Sequence, residues 1–271
     1  MQTERTPILR FENVSVAFDG VPALIDLSFT AYEGETRVIL GAAGSGKTVL
    51  LKTALGLVRP DSGHVLVFDQ RIDQLKEREL FDIRSQIGML FQESALFDSL
   101  NIEENVAYPL ENQQAIHCPP GEIHPRVVQA LEFVELGQTL EKFPSELSGG
   151  MRRRAAIARA VVTEPRLVLY DSPTAGLDPI TAHTIVELLI KQRDMAHTTT
   201  LVVTYRYQDG NLVANFRYNS EQGRLEPARN GRGARTTFMV LREGRLTFEG
   251  DQEQLESSTD PYVSKFVKHR N

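Results

Sequence analysis

Two stretches of the chain carry residue types that could do chemistry together. The first, "GAAGSGKT" at 41–48, fits GxxxxGK[ST] and lies between a strand-like run, "RVIL", and a helix-like one. Glycines let a main chain curl around a phosphate chain without side-chain clash, and a following helix N-terminus adds partial positive charge. Lys47 is then placed to reach β- and γ-phosphates, and the Thr48 hydroxyl to ligate Mg²⁺. The second stretch, "LVLYDSPTAGLDP" at 167–179, is an apolar run that stops at Asp171. A carboxylate at the end of a buried strand suits the same ion, directly or through water. Average residue usage gives the eight-residue pattern by accident in roughly one chain in a hundred of this length, and the strand–loop–helix setting removes most of those.

The elements that must position these residues alternate along the chain. "ILRFENVSVAF" and "ALIDLSFTAYEGETRVILG" read as strands, "GKTVLLKTALGL" as a helix, and "HVLVFDQ" as extended after "DSG". Residues from about 93 to 162 read as a mostly helical insert, clearest at "RVVQALEFVELG" and "MRRRAAIARAVV". A buried strand at 166–171, a helix at about 179–195 and a strand "TTLVVT" follow. Residues 206–236 read as a polar loop, with "YNSEQGRLEPARNGRGART" as its solvated part, and 237–271 as a hairpin across "REGR" plus a helix. This order predicts one α/β domain over 1–271 with a mostly parallel core sheet and an N-terminal antiparallel β part.

Composition narrows the function classes. The 271 residues have a net charge of −6, so no global basic field gathers nucleic acid. Cys118 is the single cysteine, which excludes an internal disulfide, suits a reducing cytosol and reads as inert. The opening "MQTERTPILRFENVS" is too polar for a secretory signal. No stretch approaches the roughly 18 apolar residues that cross a bilayer, so a membrane role requires a partner.

A third motif makes the site specific. "ELSGGMRRRAAIARA" from Glu146 precedes a strand ending in Asp171 by some 20 residues, roughly. With "GAAGSGKT" and Asp171 in this order, the chain resembles the ATP-binding cassette (ABC) family of P-loop NTPases over nearly its whole length. The resemblance implies that Gly41, Ala42, Ala43, Gly44, Ser45, Gly46, Lys47, Thr48 and Val49 hold ATP. Ser148, Gly149 and Gly150 would complete the pocket of a second cassette. It further implies that Phe18 stacks on adenine and that Gln92 reaches Mg²⁺, together with Thr48 and Asp171, and the attacking water. Asp178 would lie in the loop crossing the dimer interface. Met151, where the family most often has glutamine, and the tail "VLREGRLTFEGDQEQLESSTDPYVSKFV" resemble cassettes serving Mla- and Mce-type lipid transporters.

Two positions depart from the family pattern. Ser172 replaces the glutamate that polarises water, and Tyr205 replaces the histidine that contacts the γ-phosphate. A serine hydroxyl is no general base near neutral pH, and losing such a group costs about 10²- to 10⁴-fold in rate. A phenol keeps one donor but carries no positive charge. Binding residues are thus complete and water-activating residues altered. Three readings stay open: a slow ATPase using Gln92, the Asp178 loop or the γ-phosphate itself; an ATP-binding clamp or partner of a competent cassette; or a decayed site.

The implied role is a cytoplasmic ATP-binding subunit, peripheral on the inner face of the inner membrane. It would pair with a second cassette, as a homodimer or heterodimer, and with a transmembrane permease and a lipid-binding component. Permease contact is expected around Gln92 and "SALFDSLNIEENVAYPL", with Phe97 and Leu100 either in that contact or in the core. Soluble family members in DNA repair or translation form a rival class, but they usually show a long coiled coil or two cassettes. Small-molecule kinases with the same phosphate loop have no use for LSGG.

Overall fold

A computed structural model describes residues 5–113, 115–228 and 235–268. The chain opens with β1 (Pro7–Phe18) and β2 (Val21–Tyr32), an antiparallel pair whose buried positions alternate in runs separated by register shifts, as along Leu27, Phe29 and Ala31. β3 (Thr36–Leu40) is buried throughout and runs into the glycine loop, and α1 (Lys47–Ala54) follows. Next come β4 (Ser62–Val67), β5 (Gln70–Arg71), α2 (Glu77–Arg84) and β6 (Ile87–Leu90). The 93–162 segment contributes α3 (Ile102–Asn112), α4 (Pro120–Phe133) and α5 (Gly149–Val161). Asn101 and Glu104 form a capping box at α3, and Pro120 starts α4 where no N–H is required. β7 (Leu167–Asp171), α6 (Pro179–Ala196), β8 (Thr199–Thr204) and α7 (Tyr207–Asn215) continue the α/β alternation. The chain then forms β9 (Phe216–Asn219), β10 (Arg224–Pro227), β11 (Thr236–Arg242), β12 (Arg245–Gly250), α8 (Gln252–Glu256) and α9 (Val263–Lys268).

The core sheet has the order β12-β11-β3-β8-β7-β6, parallel except for β12, while β2-β1-β4-β5 form a separate antiparallel sheet. Period two divides each core strand between hydrophobic clusters. Leu167, Leu169, Leu201 and Val203 pack toward α1 and the antiparallel sheet, whereas Val168, Tyr170 and Val202 pack toward α3–α6. Register is the decisive feature for function. Leu40 pairs with Thr204, and Asp171 with Val203, so β3, β7 and β8 end level along one edge of the sheet. Ligand sites of open α/β sheets gather at such carboxyl ends.

The 206–236 segment is not a loop. It carries α7 and the β9–β10 hairpin; within it, residues 229–234 of the expected arginine-bearing stretch lie outside the described residues. The reason is tertiary. Buried Arg193 on α6 donates from Nη1 to Val213 O at 2.6 Å and from Nη2 to Phe216 O at 2.9 Å. Asp194 Oδ2 accepts from Tyr218 N at 2.7 Å, while Phe216, Tyr218 and Leu225 pack on the cluster around α6 and β11. A polar sequence becomes a hairpin because α6 supplies donors, acceptors and an apolar bed. The second hairpin turns at Glu243–Gly244, both with positive φ, as a two-residue connection demands.

Candidate nucleotide site

The level strand ends create a cleft of about 680 Å³ lined by the Ala42–Val49 loop and by Ala23, Gln92, Ser172, Ala175 and Tyr205. The loop's shape depends on glycine. Gly46 has φ +99°, and a Cβ there would lie 2.4 Å from Ala23 O; a Cβ on Gly41 would meet Ser45 Oγ at 2.4 Å and Leu241 O at 2.7 Å. Lys47 folds back over this loop, its Nζ donating to Gly41 O and Ala42 O, both at 2.8 Å, and to Ser45 Oγ at 3.3 Å. Burial lowers its pKa and the negative charge of Asp171 opposes that.

Asp171, 2 % exposed, accepts from Thr48 Oγ1 at 2.8 Å on Oδ2 and from Ser172 Oγ at 3.2 Å on Oδ1. A hydroxyl and a carboxylate this close are hard oxygen donors of the kind Mg²⁺ prefers alongside phosphate oxygens and water. No cluster of three or more His, Cys, Asp or Glu side chains fit for a metal occurs among the described residues. Two protein donors plus substrate oxygens are thus the donor set that fits.

The remaining expected residues fall in different places. Gln92 and Tyr205 line the cleft, Tyr205 being 54 % exposed. Phe18 ends β1 at 48 % exposure and is not among the residues lining the cleft. Ser148, Gly149 and Gly150 do not line it either. Ser148 caps α5, accepting from Met151 N at 3.3 Å, and Gly150 presses on Thr181, where a Cβ would lie 2.5 Å from Cγ2. Asp178 caps α6 through Ile180 N and Thr181 N; the Thr181 hydroxyl, at 2.6 Å, is the main cause of its lowered pKa. Cys118 is a half-buried free thiol.

Sequence reading overlooked several supporting residues. Ala23 and Ala175 line the cleft, and neither carries a side-chain signal. Tyr262 OH accepts from Ala42 N at 3.3 Å and donates to Leu241 O at 3.2 Å, so the C-terminal segment braces the loop 220 residues away. Buried Asp209, whose pKa burial raises, accepts from Thr174 Oγ1 at 2.5 Å and Thr204 Oγ1 at 3.0 Å. It thereby ties the turn after Ser172 to the strand end before Tyr205.

A separate groove of about 470 Å³ is lined from α3 and α5 and from the α2–β6 region, with Leu57, Phe97, Tyr108, Arg84 and Arg159 on its walls. Phe97 is exposed and stacks obliquely on Tyr108 at 4.7 Å, whereas Leu100 is half-buried. Among the described residues no helix is long and apolar enough to cross a membrane.

The ABC transporter family profile matches residues 24–175, a span that contains the phosphate loop, the LSGG motif and Asp171. The chain belongs to the ABC transporter ATP-binding family. The intermembrane phospholipid transport system ATP-binding protein MlaF of Haemophilus influenzae is 34 % identical to this cassette over 243 residues, covering 90 % of this chain and 83 % of that protein. The probable ribonucleotide transport ATP-binding protein mkl of Mycobacterium tuberculosis is 35 % identical over 245 residues, and the cassette spans 62 % of its length. Among solved structures, the MJ0796 cassette dimer bound to ADP and Pi superposes with TM-score 0.76 at 28 % identity, covering 90 % of this chain and 98 % of that one. CbiO1 of Clostridium perfringens, part of the cbiONQ transporter complex, gives 0.77 at 27 %, covering 97 % and 93 %. The cassette fold and its mostly parallel core sheet agree with these neighbours.

Proposed function

We propose that this cassette binds MgATP, dimerises around it and drives a membrane permease, with phospholipid as cargo. The observation that carries the reading is the convergence of Lys47, Thr48 and Asp171 at one end of the phosphate loop, with Gln92 and Tyr205 on the same cleft. Lys47 would release part of its hold on the loop carbonyls to meet β- and γ-phosphates. Thr48 and Asp171 would hold Mg²⁺, which neutralises phosphate charge. Gln92 would orient the attacking water from the opposite wall. Ser172 would contribute a hydroxyl and no base, so hydrolysis is slow and ATP persists in the closed dimer.

Dimerisation is supported by the position of Ser148 outside its own cleft, at a helix N-terminus with N–H groups to offer a second chain's nucleotide. The groove with Phe97 and Tyr108 suits a short permease helix. Phospholipid cargo rests on the MlaF relatives and on Met151; ribonucleotide cargo is the rival suggested by the mkl relatives. Residence on the inner face of the inner membrane follows from the same partners. A second reading, an ATP clamp with negligible hydrolysis, is favoured by Ser172 and Tyr205. Pull-down from native membrane tests the proposal. It should recover a multi-pass permease with a lipid-binding component, and recovery of a sugar or amino-acid permease would overturn the cargo.

A further inference from the structure

The run Arg152–Arg153–Arg154 near the start of α5 has one member that turns inward. Arg152 is exposed and Arg154 reaches Val134 O at 3.1 Å, but Arg153 is only 6 % exposed. Its Nη1 donates to Phe91 O at 3.2 Å and to Gln92 O, and its Nη2 donates to Ala175 O at 3.4 Å. One planar fork therefore holds carbonyls of two separate loops: the segment after β6 that bears Gln92, and the turn after β7 that bears Ser172. Both Gln92 and Ala175 also line the nucleotide cleft, and with Arg153 and Gly149 they line a second cavity of about 350 Å³.

Both loops contain backbone that needs outside support. Ser94 and Ala95 have φ of 66° and 50°, and Ser172 has φ of 48°, conformations uncommon for residues with a Cβ. α5 supplies support twice, since Arg159 Nη2 also donates to Ser94 O at 3.0 Å. Burial pulls the pKa of Arg153 down and the negative charge of the Asp171 carboxylate opposes this. A buried cation shared among three backbone carbonyls couples the positions of the segments that bear them.

We propose that Arg153 is a positioning residue of the nucleotide site. Through main-chain carbonyls it sets the Gln92 side chain and the Ser172–Ala175 turn relative to each other, and it locks both to α5. Because Ser148 caps the start of α5, the residues facing the water and the segment offered to the second cassette form one mechanical unit. This deepens the functional reading above and rests on it.

The test compares Arg153→Gln and Arg153→Lys, with Arg154→Gln as the control for loss of an α5 arginine that reaches neither loop, in the full chain with and without Ser172→Glu. Fluorescent-ATP affinity should stay within about threefold, because Lys47, Thr48 and Asp171 are untouched, while single-turnover hydrolysis falls at least about tenfold, as misplacement of reacting groups predicts. Lysine, which keeps the charge but not the fork, should retain more than glutamine, and it serves as the second variant should glutamine not fold. Hydrogen exchange should quicken at 91–95 and 172–177 but not in β7 or α1. Unchanged hydrolysis, or an equal loss of ATP affinity, would overturn the proposal in favour of a merely structural arginine. If no background hydrolyses ATP, the hydrolytic reading fails, and the exchange experiment alone decides: unchanged protection at 91–95 and 172–177 overturns the positioning role.

Discussion

Ser172 Oγ donates a 3.2 Å hydrogen bond to Asp171 Oδ1, while Asp171 Oδ2 accepts from Thr48. The serine thus leans on the carboxylate proposed to hold Mg²⁺ instead of presenting a base of its own to water. Its backbone already continues the sheet, Ser172 N donating to Val203 O at 2.9 Å, so the position is well defined and a longer acid can be tested there.

Ser172→Glu should raise single-turnover ATP hydrolysis, by up to about 10²- to 10⁴-fold. Tyr205→His should add to it, and the two effects should be non-additive because both act on the same water and γ-phosphate. Wild-type hydrolysis as fast as the double variant would show that another group already activates the water.

Ser148→Arg should leave ATP binding intact, since Ser148 lies outside its own chain's cleft, yet abolish MgATP-driven dimerisation. Light scattering with and without MgATP reads this directly. Undiminished dimerisation would refute a composite site.

Gly46→Ala and Gly44→Ala separate backbone conformation from collision. Both glycines have positive φ, but a Cβ at Gly44 meets nothing within 4 Å, whereas at Gly46 it lies 2.4 Å from Ala23 O. The left-handed backbone costs about 1–2 kcal/mol at either position, which is a fall of roughly 2–8 °C in Tm. Gly46→Ala should fall further, by calorimetry, and lose nucleotide binding. Equal shifts would mean that Ala23 yields without cost.

Asp73 provides a pH test remote from the site. Burial alone would raise its pKa, but the Val65 N–H at 3.0 Å and Arg71 Nε at 2.9 Å outweigh that and hold it below the ordinary value. A depressed folded pKa contributes stability above the unfolded value of about 4 and loses it as pH falls through the folded one. Asp73→Asn should therefore cost about 1 kcal/mol in urea unfolding at pH 7, with the gap closing below about pH 4. A gap that shows no narrowing as pH falls below the ordinary carboxylate range would assign the effect to packing.

Local pattern made much of this protein legible in the sequence. The buried runs of β3, β7 and β8 and the glycine loop between strand and helix are all set by neighbours a few positions away. So is the chemistry of Lys47, Thr48 and Asp171, and with it family membership. The α7 and β9–β10 elements were not legible, because their polar residues gain order only from Arg193 and Asp194 on α6. Tertiary structure alone decided that Arg153 and not its neighbours would turn inward, whereas the meeting of Thr48 and Asp171, 123 residues apart, and the place of Ser148 outside its own cleft were implied by the family resemblance and not by local pattern. The physical reason is strand order and register. Residue types fix which segments become strands, but only the pairing of β3 with β8 and β8 with β7 brings their carboxyl ends level, and short-range pattern carries no record of that pairing.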